Sequence, residues 1–251
     1  MNDLQKYLST SLIATTALLG GVSPAWAQVS LGAASGFSVL AVTAVTCTAS
    51  AITGDVGISP GTAWTNTGCT VSGATPPASN AAATDAHTAL VSAYAALLAQ
   101  SRACTQTLSS LDGLDLPPGV YCVDATAKTG LLTLTGTADG VWTFLVAGAL
   151  TGTSFTVAMA GGAQASNVFW APTGAATMTT SALKGNVLAG DATAGSITLT
   201  GGTLDGRALA NVAVTMTGVG VVGSTAPAIP APLTDPLCAA PAVSQSIIPF
   251  K

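Results

Sequence analysis

Two hydrophobic patterns alternate along the second half of the chain. In the first, apolar residues and threonines take turns: LTLTG (132–136), LTGTS (150–154), ATMTT (176–180), ITLTG (197–201) and VTMTG (214–218). Successive side chains of a strand point to opposite faces, so Leu132, Leu134, Ile197, Leu199, Val214 and Met216 face one way and the threonines between them the other. The apolar set belongs in a core, which turns the threonines outward. In the second pattern, VWTFLVAG (141–148), NVFWAPTG (167–174), NVLAGDATAG (186–195) and RALAN (207–211), nearly every position is apolar. That is the signature of a strand buried on both faces.

The two patterns recur in step. The first threonines of the five elements are Thr133, Thr151, Thr177, Thr198 and Thr215, with spacings of 18, 26, 21 and 17 residues. Periods near 20 are long for a hairpin register but suit one turn of a β-solenoid with insertions at its corners. The longest period holds such an insertion, with Gln164 and Ser166 placed off the threonine side. The threonines then form one ladder: Thr133, Thr135, Thr151, Thr153, Thr177, Thr179, Thr198, Thr200, Thr215 and Thr217.

Residues 30–77 alternate short β-like runs with turns. Residues 79–103 differ, lacking Gly and Pro and carrying Leu90, Ala93, Tyr94 and Leu97 at i, i+3, i+4, i+7. This predicts one amphipathic helix over about 80–102, opened by Ser79 or Asn80. The doubly apolar strands need a cover on their outer side, and this helix is the one element able to supply it. Trp142 and Trp170 fall in those strands and are expected to pack against it. LPPGVYC (116–122) turns the chain back into strands. From residue 224 the sequence is Pro-rich and aperiodic, a linker or tail over 224–251.

Composition narrows the function. Only 6% of residues are charged, all ten acids are Asp, and there is one His, at a formal net charge of −4. No basic patch exists to meet nucleic acid. The N-terminus reads as an export signal over 1–27: Lys6, an apolar stretch LIATTALLGGV (12–22) and a small-residue AWA cleavage site (25–27). After cleavage no stretch is long and apolar enough to span a membrane, so the mature domain, 28–223, is expected to be secreted. Export permits disulfides. Five cysteines cannot all pair within one chain, and spacing alone does not give connectivity. Two local bridges are expected, Cys47 with Cys69 and Cys104 with Cys122, leaving Cys238 alone in the tail.

Six segments in order, LGAASGFSVLA, ITGDVGISPGTA, LPPGVYC, GAQASNVFW, KGNVLAG and TLDGRALA, resemble the secreted ice-binding (antifreeze) proteins of cold-adapted microbes. The likeness covers about residues 31–222. It implies a mostly β fold: a right-handed, discontinuous β-solenoid of roughly triangular section with one long helix along a face. It also implies ice as the partner, met by a flat solenoid face, with no fixed motif for the contacting residues. Those must come from this chain's own pattern.

The ten ladder threonines are therefore the candidate ice-binding residues. Along a strand, residues i and i+2 lie about 6.7 Å apart and neighbouring strands about 4.8 Å apart, a grid that approximates the repeats of water oxygens on some ice planes. Thr46-Cys47-Thr48 is a further candidate rung, its Cys47 facing inward, although it would join the ladder out of sequence order. Enzymatic readings find little support. Asp55, Asp139, Asp191 and Asp205 mostly adjoin Gly, where Asp caps turns. His87 sits in the helix with no nucleophile signature nearby. No Asp run provides calcium ligands, so neither metal nor cofactor is expected, and the protein is expected to act as a monomer without catalysis. The alternative is a secreted adhesive module that binds polysaccharide. Such faces carry aromatics, and here Trp64 in GTAWTNTG is the one candidate for an exposed ring.

Overall fold

The computed structural model describes residues 29–104 and 107–223. The expected export signal and the Pro-rich tail with Cys238 lie outside the described residues. Among the described residues, seventeen strands run parallel to their neighbours in one continuous sheet wound into stacked coils. Each coil passes through three faces in turn. The first face carries residues 150–153, 176–179 and 197–200 and the strands Ala213–Thr217, Ala44–Thr48 and Ala63–Thr67. The second carries Asp115–Leu116, residues 130–135, 156–160, 181–184 and 203–205, then Gly220–Val222, Ala51–Thr53 and Thr70–Val71. The third is built from Thr107–Leu108, Gly119–Asp124, Trp142–Ala147, Val168–Pro172, residues 186–189 and 207–210, Phe37–Ala41 and Asp55–Ile58.

Spatial order departs from chain order at one seam. The two N-terminal coils stack on the last C-terminal coil, with Thr46 beside Thr215, Thr53 beside Val222 and Leu40 beside Leu209. From the outermost N-terminal coil the chain enters the helix Asn80–Leu98, continued by a 3-10 turn, Ala99–Ala103. It then starts the other end of the stack at Thr107–Leu108.

The third face is buried on both sides, as its sequence predicts. Its inner side chains, among them Val39, Tyr121, Phe144 and Val187, fill the interior. Its outer ones, Leu40, Leu145, Phe169, Leu188 and Leu209, meet Ala83, Ala86, Leu90, Ala93, Tyr94 and Leu97 of the helix. Each Leu so buried contributes roughly 1.5–3 kcal/mol. Trp142 and Trp170 correct the expectation: they point inward, not at the helix. Trp170 stacks on Phe144 at 4.1 Å, and the two indole N–H groups donate to the carbonyls of Leu116 and Lys184. The strand alternation turns Phe169 and Leu145 outward to the helix instead. Ser79 precedes the helix, yet its hydroxyl donates to the Val56 carbonyl at 2.5 Å and ties the helix start to the sheet without capping it.

Both expected disulfides are formed, Cys47–Cys69 and Cys104–Cys122, with Cα separations of 6.1 and 5.5 Å. The insertion in the 26-residue period is a corner between the second and third faces, with a short 3-10 turn, Ala165–Asn167. Gln164 is exposed there, whereas Ser166 is buried.

Candidate functional site

The first face is the candidate site. Its register aligns Thr151, Thr177, Thr198, Thr215, Thr46 and Thr65 in one column and Thr153, Thr179, Thr200, Thr217, Thr48 and Thr67 in a second. Six rungs of two threonines make a grid about 24 Å long and about 6.7 Å between columns. All twelve side chains are exposed or half-buried, while Val45, Cys47, Leu150, Ala176, Met178, Ile197, Leu199, Val214 and Met216 between and beside them are buried. β-Branching restricts each threonine's χ1, so the grid is preorganised. Two residues before each first threonine stands Ala149, Ala175, Ser196, Ala213, Ala44 or Ala63. These small side chains leave the approach to the grid unobstructed on that side.

Eight of the ten threonines read from the sequence stand together on this face. Thr133 and Thr135 do not. They register with Ala158 and Ala160, and Thr133 with Asp115 on its other side, which places them on the second face. In their coil the first face is occupied by residues 127–129, because Lys128 registers with Gly152. There the inward position is a lysine, 2% exposed, whose Nζ donates to the Ser109 carbonyl and to Asp124 at 2.8 and 2.9 Å. Thr46 and Thr48 do join the ladder, through the seam between the chain's two halves. Thr65 and Thr67 extend it by a rung that the apolar alternation does not reveal, because Asn66 stands between them.

A sharper local signal separates the two faces. Wherever a rung leaves the first face, the next residue turns the corner with positive φ: Ala49, Gly68, Gly130, Ser154, Thr180, Gly201 and Gly218, at φ between 46° and 75°. Gly136, after Thr135, is not among the positive-φ residues. Ala49, Ser154 and Thr180 hold this conformation although it costs a side-chain-bearing residue about 1–2 kcal/mol. Hydrogen bonds offset that cost. Ser50 Oγ donates to Thr48 O and accepts from Val219 N, and Ser181 Oγ donates to Thr179 O and accepts from Phe155 N. Each serine pins the end of a rung to the coil beside it.

Electrostatics also distinguish the faces. None of the six rungs contains a charged residue. The second face bears the Lys184–Asp205 ion pair at 2.9 Å and an irregular outward series of Leu131, Thr156, Ala182, Thr203 and Gly220. The acids considered for catalysis lie off the ladder, and three of the four are engaged locally. Asp55 accepts from Ala74 N, Asp205 pairs with Lys184, and Asp191 accepts from the backbone N–H groups of Thr193 and Ala194, which lower its pKa. His87 shares a hydrogen bond of 2.8 Å with Asn211, which in turn donates to Gly190 O. Among the described residues no three His, Cys, Asp or Glu side chains gather where a metal could be held. Trp64 is half-buried and packs against the end of the core.

A family model described as Ice-binding-like matches residues 39–222. This chain belongs to the ice-binding-like family. An ice-binding protein of Flavobacterium frigoris (strain PS1) is 36% identical over 179 residues, which cover 64% of this chain and 65% of the relative. The chain thus spans somewhat less than two thirds of that relative's length. Ice-binding protein K3-B1 of Typhula ishikariensis is 32% identical over 216 residues, covering 73% of this chain and 86% of the relative. The crystal structure of an ice-binding protein from the Antarctic ascomycete Antarctomyces psychrotrophicus is similar with a TM-score of 0.70 and 32% identity, over 78% of this chain and 98% of that one.

In this member of the ice-binding-like family, the polar residues of the KGN and DGR segments serve the scaffold. Lys184, Gly185 and Asn186 register with Asp205, Gly206 and Arg207 at the corner into the third face. Gly185 and Gly206 have φ of 111° and 151°, and a Cβ on Gly206 would fall on the Gly185 carbonyl. Beneath them the buried Arg207 donates to Asn186 Oδ1 and Ser35 O, joining the C-terminal coils to the N-terminal turn.

Proposed function

We propose that this protein is secreted, adsorbs to ice through its threonine ladder as a monomer, and thereby inhibits ice growth and recrystallisation without catalysis. The observation that carries this reading is the charge-free, two-column grid of twelve threonines in unbroken register. Each hydroxyl anchors a water and each methyl orders the waters around it. Because the χ1 angles are restricted beforehand, little rotamer freedom is lost on adsorption. Membership of the ice-binding-like family supports ice as the partner. The N-terminal export signature and two disulfides support secretion, and no helix among the described residues is long and apolar enough to cross a membrane.

Ice affinity partitioning of the mature protein tests the reading: it should concentrate in a slowly growing ice hemisphere. Thr200→Tyr raises a ring above the middle of the grid and lifts neighbouring rungs from the ice. Its activity should fall by roughly tenfold or more, equivalent to about 1.4 kcal/mol or more of adsorption free energy, at an unchanged melting temperature. Gln164→Lys, at the exposed corner, should be silent. Exclusion of the wild type from ice would remove the central claim and favour the polysaccharide module. Full activity in Thr200→Tyr with loss in Gln164→Lys would move the contact to another surface.

A further inference from the structure

The ladder ends at the strand Ala63–Thr67, which pairs with Ala44–Thr48 on one side and with no other strand among the described residues. Its inward positions differ from those of every inner rung. Trp64 is only half-buried and Asn66 is exposed, where the preceding rungs bury Val45 and Cys47, and Val214 and Met216. The terminal rung therefore lacks the apolar anchorage that keeps the others in plane, and unanchored edge segments open locally at low cost.

Two other devices fasten it. The Asn66 side chain folds over the corner, accepting from Cys69 N at 2.8 Å and donating to Cys69 O at 3.3 Å. Cys69 itself, two residues after Thr67, is bonded to Cys47, which is fully buried between Thr46 and Thr48. Cys69 Sγ also accepts from Ser50 N at 3.2 Å, and Ser50 is one of the serines that pin the rung ends. The covalent link thus runs from beneath one rung to the corner of the next.

We infer that the Cys47–Cys69 bridge is a positioning element of the ice-contacting face: it holds Thr65 and Thr67 coplanar with Thr46 and Thr48. This rests on the proposed adsorption to ice through the ladder. A rung that tilts away from a flat lattice contributes nothing to adsorption even though the protein stays folded. The second bridge is the internal control. It closes a loop of similar size, 18 residues against 22, but lies at the opposite end of the stack on the helix-covered face.

The test compares full-length C47A/C69S, C104S/C122S, T65Y, T200Y and the triple variant C47A/C69S/T65Y. Ice recrystallisation inhibition is measured near 0 °C, with melting curves and hydrogen exchange over residues 63–67. C47A/C69S should lose activity severalfold and lose exchange protection in the terminal rung. T65Y should lose a similar amount, and the triple variant no more than C47A/C69S alone. C104S/C122S should keep full activity even where its melting temperature falls as far. Full activity in C47A/C69S would overturn the inference, because the rung would then stay seated without the bridge. So would full activity in T65Y beside a loss in T200Y, which would leave ice binding by the ladder intact. Additive losses in the triple variant would also overturn it, placing the bridge's effect elsewhere. Silence of both T65Y and T200Y would instead remove the ladder reading.

Discussion

An outward threonine keeps its place on this face because the residue after its rung turns the chain, and Ser50 and Ser181 pin two of those turns. Carboxylates fasten other corners in the same way. The Lys128 ammonium, bonded to Asp124 with help from Thr126 N–H, holds that carboxyl below its usual pKa, and the N–H groups of Ala194 and Thr193 do the same for Asp191. A carboxylate depressed by folding stabilises the protein above its unfolded pKa and loses that contribution as pH falls through the folded value. The melting temperature should therefore be level from pH 8 to about 5 and decline below about pH 4, less steeply in Asp191→Asn. Recrystallisation inhibition should stay flat wherever the protein is folded, because no rung carries a titratable group. A pH-dependent activity at constant melting temperature would contradict an uncharged contact face. At this scale the sequence showed eight ladder threonines through alternation alone. It misplaced Thr133 and Thr135 because a strand on either exposed face alternates alike, and the positive-φ corner that tells the faces apart is visible only in the backbone. Thr65 and Thr67 escaped because the end rung only partly covers the core and carries the exposed, polar Asn66 where the others carry an apolar or small inward residue.

The elements were more legible than their residues. A doubly apolar strand demands a layer on each side, and a single Gly-free segment can supply one of them, so the helix and its place followed together. Leu90, Ala93, Tyr94 and Leu97 are all buried against the sheet. Which side a tryptophan takes was not legible, since both sides of those strands are apolar and the pattern alone does not say which parity faces the helix. Leu90 is fully buried, so Leu90→Ala should cost about 2–5 kcal/mol in urea denaturation. The helix lies across the third face, away from the ladder, so the specific activity of the folded variant at low temperature should equal that of the wild type. A loss of activity without a loss of stability would show that the helix side takes part in adsorption.

For the molecule as a whole, the period near 20 residues predicted a solenoid, while the seam between first and last coils rested on likeness to a family. Repetition reports that coils stack but not in which order, and here Thr46 sits beside Thr215, 169 residues away. That juxtaposition governs how the protein comes into being. A growing chain can assemble its two N-terminal coils, then the helix, then four or five further coils, and still possess only two separated strips of threonine. The continuous grid exists once the final coil, ending at Val222, has docked against the first. Such long-range closure is entropically slow, so refolding from urea should restore ice affinity only with the last kinetic phase. No species lacking the final coil should inhibit recrystallisation fully, however much of its sheet has formed. The continuous threonine grid is thus expected to form in a single late event, when the final coil meets the first.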